Sequence, residues 1–437
     1  MKTKELSESR KNVSYVLFII ASFFLYIILT GSKNLYVAEK TTLNTLGFGS
    51  LTELALTMEY YFYAYALTQV VLIFFIKKIN VKWFLTVTVS ASALLTVYVA
   101  FSQSLVEHYV IYIANGFLQA GIWSCLFKLF GEYLPMRFLP FANKLMASGP
   151  AVAGIISYGF AAAFGDEWRT PFATLGVILL LAVVAYFVTE SRVYRIQKGD
   201  VKQRLSSTNE VTADEEDNDF IHLDSKLRIL VFYVVSSVMS FLVTSLFFML
   251  NNNIDVFFME IGGFSNDVSK LLTILVPITI VVGPMLTVSS CEKHKNFILV
   301  GAVYFGISAF LSLLILFFYN SGILFSLLLL LLFLVVCHGA RMITMSIIAL
   351  KMRRKINTGV LSAALNAAAS LASGIAPRVL ASRLDNESLS AIESWQNAFL
   401  LIFILNLVIV VSILLIELWV YLINRKKPEK APPALAK

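Results

Sequence analysis

The side chains able to do chemistry are few, and they stand inside apolar runs. Lys33 lies in ILTGSKNLY with Asn34 beside it, Glu59 lies in MEYYFYAY four residues before Tyr63, and Arg341 follows His338 by one helical turn in CHGAR. NGFLQAGIW places Asn115, Gln119 and Trp123 at i, i+4 and i+8, one face of a helix. NNNID puts Asn251 and Asp255 on a shared face in the same way. An ionisable group in hydrocarbon costs about 2.5–3.5 kcal/mol on insertion scales, so each is a candidate for function. A cation with amides and aromatics suits solute binding; carboxylates such as Glu59 and Asp255, or the imidazole of His338, suit carriage of a proton. Blander roles compete at every position. Lys33 and Arg341 can snorkel to headgroups, Glu59 can sit at an interface among tyrosines, and the amides can join helices. His338 can be a packed histidine, and NNNID an unwound segment of helix. No nucleophile–base pair or carboxylate pair stands out, so no catalytic residue is expected and the chain reads as a non-enzyme.

The elements that must position these groups follow from composition. Of 437 residues, 58% are hydrophobic and only 14% charged, with a mean hydropathy of +0.79. Soluble domains carry about 25% charged residues. A membrane helix needs about 20 mostly apolar residues. Twelve such runs lie near 13–38, 52–76, 83–102, 109–131, 145–164, 171–189, 227–258, 267–290, 297–319, 322–350, 360–382 and 396–423. The first is too long, and lacks the small-residue cleavage site, for a signal peptide. The longest polar stretch, 190–226, begins basic and turns acidic at Asp214–Asp219, the composition of a solvated linker. The expected organisation is a bundle over 1–189, a cytoplasmic linker over 190–226, a second bundle over 227–424 and a tail over 425–437.

Charge gives the expected orientation and removes other classes. Net charge is +8 and pI about 9.2, but the basic residues are scattered between apolar runs, which argues for membrane loops and against nucleic acid. With both termini inside, 28 of the 35 Lys and Arg fall in cytoplasmic segments. Five fall outside (Lys40, Arg169, Lys270, Arg378 and Arg383), and Lys33 and Arg341 lie within spans. Cys125, Cys291 and Cys337 form no CxxC pair, and four His are widely spaced, so no metal site is expected. There is no GxxxxGK[ST] loop, and no cofactor is expected.

Six spans, a long inside linker and six more spans form the layout of the major facilitator fold: all-α, twelve transmembrane helices, two pseudo-symmetric bundles and a midplane site. At residue level the chain resembles the organophosphate:phosphate antiporters of that superfamily, the glycerol-3-phosphate and hexose-phosphate carriers. The resemblance lies in Asn115, Gly116, Gln119 and Trp123, with Lys128 at a basic position, in Tyr26 and Lys33–Asn34, in Tyr63, and in WRTPF at Trp168 and SWQNAF at Trp395. It implies alternating access and a substrate held by Lys33, Asn34, Tyr63, Asn115, Gln119 and Trp123, to which the span-seven pattern adds Asn251. The family's two phosphate-clamping arginines are not matched. Ser32 stands at the first position, and no Lys or Arg occurs between Arg228 and Lys270. KKINVK also lacks the Gly and Asp of the usual facilitator loop. Arg341, with His338, is the expected replacement for the missing span-seven cation.

The resulting expectation is a secondary transporter of a small polar or anionic organic solute, with sugar phosphates and organic anions as candidates, working by a rocker switch. It would be a monomer in the lipid bilayer, in a bacterial inner membrane with both termini cytoplasmic, coupled to a proton or to phosphate. Two alternatives stand: a proton-driven exporter of hydrophobic or cationic compounds, and a non-transporting solute sensor.

Overall fold

The computed structural model describes residues 8–75, 79–204, 226–294, 297–344, 358–385 and 388–425, and among them there is no β-strand. The first half contains α1 (Glu8–Ala38), α2 (Lys40–Thr45), α3 (Leu51–Phe75), α4 (Val81–Val99), α5 (Leu105–Gln119), α6 (Ile122–Tyr133), α7 (Leu139–Phe164) and α8 (Arg169–Arg204). The second contains α9 (Lys226–Asn251), α10 (Ile254–Glu260), α11 (Asn266–Thr273), α12 (Val276–Lys293), α13 (Phe297–Phe318), α14 (Ile323–Met342), α15 (Thr358–Leu384) and α16 (Ala391–Arg425). Helix starts are written into the sequence. Ser50 with Glu53, and Ser390 with Glu393, are reciprocal capping boxes at α3 and α16.

The two halves repeat one packing scheme. Within the first, α1 packs on α7, α3 on α5, and α4 on α8; the second repeats this as α9 on α15, α12 on α14, and α13 on α16. Across the halves α3 meets α15 and α7 meets α12, and a pseudo-twofold axis exchanges these two contacts. The close pairs rest on glycine. A Cβ on Gly116 of α5 would strike the Tyr61 carbonyl of α3, and one on Gly283 of α12 would strike the Val335 carbonyl of α14. The equivalent helix pair is thus tightened in each half, from α5 in the first and from α12, the counterpart of α3, in the second.

Each of the twelve expected spans corresponds to a described helix or helix pair. Ten segments among the described residues are long and apolar enough to cross a membrane, which makes the chain an integral membrane protein. The second and eleventh spans, α3 and α15, fall outside the ten. α3 carries Glu59 and four tyrosines, and α15 carries Arg378, Arg383 and a run of Ala and Ser. These two helices pack on each other at the seam, so each turns part of its surface away from lipid.

Three spans that read as continuous are broken. The fourth bends at Ala120–Gly121, where a Cβ on Gly121 would come within 2.7 Å of the Phe84 ring. The seventh breaks at Asn252–Asn253, where the Asn253 amide donates to the Met249 carbonyl at 2.8 Å and competes with the helix ladder. The eighth restarts at α12 with Pro277, which lacks an N–H, in its first turn. The stretch read as the start of the linker is helical as far as Arg204. α8 is tied down there by an ion pair between Glu190 and Lys82 (2.7 Å) and by the Gln197 amide donating to the Tyr133 carbonyl (2.5 Å). The acidic part of the linker lies outside the described residues.

Candidate functional site

α1 and α14 bring the two intramembrane cations together from opposite halves. Lys33 is half-buried on α1, its Nζ 5.8 Å from the centre of the Tyr61 ring and 5.3 Å from that of Phe62, both on α3. Arg341 is half-buried on α14, its guanidinium 5.6 Å from the Phe248 ring on α9. Phe62 and Phe248 meet across the halves at 6.1 Å, edge to face. The two cations interact electrostatically with each other, and Arg341 also acts on Tyr26 of α1. Among the described residues neither cation has an acidic partner, and the Arg341 Nε is buried without a hydrogen bond. Ring quadrupoles supply what favourable contact they have, about 0.5–2 kcal/mol each.

The amides of span four stand behind this pair. Ser92 on α4 donates to the Asn115 Oδ1 at 2.8 Å and accepts from the Gln119 Nε2 at 2.8 Å; the Tyr61 hydroxyl donates to the Gln119 Oε1 at 2.9 Å. The chain Asn115–Ser92–Gln119–Tyr61 fixes the ring beneath Lys33. Trp123 lies a further turn along, 5.3 Å from the Tyr26 ring and 4.5 Å from Phe127. Asn34 is half-buried next to Lys33.

Other expected site residues lie elsewhere. Tyr63 is partly exposed and donates to its own helix neighbour Glu59. Its position on α3 points it away from the Tyr61–Phe62 face that meets Lys33. Glu59 is buried and ion-paired at 2.9 Å with Arg378 of α15, a residue the charge count had put in an outer loop. Asn251 ends α9 and donates to the Asn252 side chain at 2.8 Å. Asp255 is fully buried in α10, with no side chain hydrogen-bonded to its carboxylate and with Lys40 and Lys270 acting on its charge. His338 packs 3.9 Å from the Phe247 ring and has an unpartnered Nε2. Ser32, at the position of a family arginine, turns its hydroxyl to the Leu29 carbonyl at 2.8 Å.

A second polar assembly closes one end of the bundle, and the sequence reading missed it. Lys270 of α11 pairs with Glu39 at 2.9 Å and donates to Thr42 at 2.7 Å, with both charged side chains fully buried. Lys40 donates to the Asn252 carbonyl and the Asn253 Oδ1, each at 2.6 Å. Asn266 accepts from Thr41 at 2.8 Å and donates to Thr42 at 3.0 Å, while the Thr52 amide donates to Asp385 at 2.6 Å. Hydrogen bonds and ion pairs joining described residues of the two halves gather at this end. Lys40 and Lys270 had been counted as outer-loop charges. The available signal was Glu39-Lys40-Thr41-Thr42, a polar run flush against an apolar helix with no turn residue between them.

This chain belongs to the Major Facilitator Superfamily, whose model matches residues 13–377. It is 24% identical over 169 residues to the uncharacterized transporter YybO of Bacillus subtilis (strain 168), a match covering 38% of this chain and 39% of that one; the match thus spans about two fifths of that relative's length. Its fold is similar to that of a bacterial homolog of the human lysosomal transporter Spinster, in an inward-facing and occupied conformation (TM-score 0.68, 14% identity, 96% of this chain and 99% of that one). It is also similar to a D-xylose–proton symporter (0.67, 14%, 92% and 97%) and to the nucleoside transporter NupG (0.66, 14%, 92% and 98%).

Proposed function

We propose that the protein is a secondary carrier of a small organic anion, and that the anion binds between the halves at Lys33 and Arg341. The observation that carries this reading is the pair of cations, one from each half, left without acidic partners among the described residues. Like charges that act on each other in a partly buried seam are unfavourable until an anion enters. An anion touching both would also draw the halves together, and such differential contact between states is what a ligand needs to drive a conformational exchange. Uncompensated positive charge disfavours the cation-exporter reading.

The sealed end carries Glu39 and Lys270, and positive-inside counting assigns it to the outside. This supports an inward-open carrier, with both termini cytoplasmic and alternating access by rocking. The resemblance to organophosphate antiporters supports anion carriage. Ser32 and the absence of any cation between Arg228 and Lys270 favour anions other than those needing a paired-arginine phosphate fork. For coupling, Asp255, buried with no side chain hydrogen-bonded to its carboxylate, suits a proton better than Glu59, which Arg378 already holds.

Equilibrium binding of organic anions to the purified full chain, followed by flux in proteoliposomes, tests the proposal. Lys33→Ala and Arg341→Ala are each expected to abolish anion binding while leaving insertion and folding intact, and Lys33→Arg to keep part of the affinity. Unchanged affinity in both alanine variants would overturn the site. Binding without flux would turn the reading to a sensor.

A further inference from the structure

The span-four polar groups behind the two cations are bonded to one another, and this narrows the substrate class; the argument rests on the anion site proposed above. A polyhydroxylated substrate such as a sugar phosphate needs hydrogen-bond partners for each hydroxyl it desolvates, because a buried hydroxyl left unpaired is costly. The side chains best placed to serve are engaged within the protein. Gln119 holds Tyr61 and Ser92, and Ser92 holds Asn115. The surfaces against the cations are rings instead. Tyr61 and Phe62 flank Lys33, Phe248 flanks Arg341, and edge-to-face contacts run from Tyr61 to Phe62 (5.1 Å), on to Phe248 (6.1 Å) and then to Phe247 (4.9 Å). This π-surface crosses from one half to the other at the same place as the charges.

We infer that the substrate is a carboxylate with an aromatic or bulky apolar body, its anionic head between Lys33 and Arg341 and its body against the Phe62–Phe248 contact. A weakly hydrated body loses little on leaving water and gains dispersion and area burial against the rings. A hydroxylated one loses its hydration without replacement. Phe62 and Phe248 then set specificity, and the cations set charge.

The test is a matched series of anions on the purified full chain, with affinity read by calorimetry and by thermal shift: acetate, benzoate and phenylacetate against glucose 6-phosphate, glycerol 3-phosphate and inorganic phosphate. Each buried methylene-sized group is worth about fourfold in affinity, so benzoate is expected to bind at least about tenfold tighter than acetate and tighter than either sugar phosphate. Phe62→Leu and Phe248→Leu, which keep apolar bulk and so keep the fold, are expected to lower the benzoate-to-acetate affinity ratio several-fold, and a ratio unchanged in both would overturn the inference. Glucose 6-phosphate or glycerol 3-phosphate binding tighter than benzoate, with both bindings lost in Lys33→Ala, would overturn this inference and spare the anion site. Binding of none of these anions, or binding indifferent to Lys33 and Arg341, would overturn the anion site itself.

Discussion

Neutralising one member of the Glu39–Lys270 pair should change which way the carrier faces. The pair measures 2.9 Å, both side chains are fully buried, and it joins α1's end to α11 in the opposite half. Removing one partner of a buried ion pair leaves an uncompensated charge and costs about 3–5 kcal/mol. That penalty belongs to the sealed conformation alone, since opening this end hydrates the orphaned charge. At about 1.4 kcal/mol per tenfold, the equilibrium between sealed and open should therefore move by about a hundredfold to several thousandfold in Glu39→Gln or Lys270→Met. Cys125, Cys291 and Cys337 would be replaced, and spin labels placed at exposed Leu46 and Leu271, one on each half beside the seal. The distance distribution should shift from one short population to a longer one in each single variant. The double variant Glu39→Gln/Lys270→Met leaves no orphaned charge and should recover much of the short population, giving the coupling as a double-mutant cycle. A distribution unchanged in both folded single variants would refute the reasoning. So would a double variant no closer to wild type than the singles.

Gln119→Leu strips the Tyr61 hydroxyl of its partner and should cost about 1–3 kcal/mol of stability, read as a lowered unfolding midpoint in detergent. Gly116→Val and Gly283→Val each drive a side chain into a neighbouring carbonyl and should prevent accumulation in the membrane; wild-type levels of either would show that the helix pairs can part. Orientation is checked by single-cysteine labelling of intact cells. Ser207, in the linker, should stay unlabelled by an impermeant reagent and Asn386 should react, and the reverse pattern would invert the assignment of the sealed end.

The architecture was legible because its cause is compositional. A bilayer demands about 20 apolar residues per helix, and runs of that length were countable. The two weakest runs, α3 and α15, were still found, though their low apolarity reflects a partner helix that sequence does not name. Lys33 and Arg341 were legible for the opposite reason: a charge inside such a run is expensive, and so it marks itself. That they converge from positions some three hundred residues apart was an inference from a missing arginine, and only the Phe62–Phe248 contact, with Lys33 over one ring and Arg341 over the other, gives it geometry.

What stayed illegible was decided by helix phase and by partners distant in sequence. Tyr61, Phe62 and Tyr63 are consecutive, yet only the first two face Lys33; a resemblance at Tyr63 carried no information about which face α3 presents. Lys40 and Lys270 were counted as loop charges because each sits at the end of an apolar run, where hydration is the default assumption. Their burial depends on Asn252, Asn253 and Glu39, supplied across the seam between halves. The same rule of cost, applied at span ends as well as at span centres, would have flagged Glu39-Lys40. Two adjacent opposite charges with no turn residue before them leave the chain little room to reach water. A carrier must hold strong contacts that break cooperatively at one end while its midplane keeps charge available for the substrate. In the carrier proposed here the paired cations would close the end of the bundle and the unpaired ones hold the substrate, so pairing itself would distinguish gate from site.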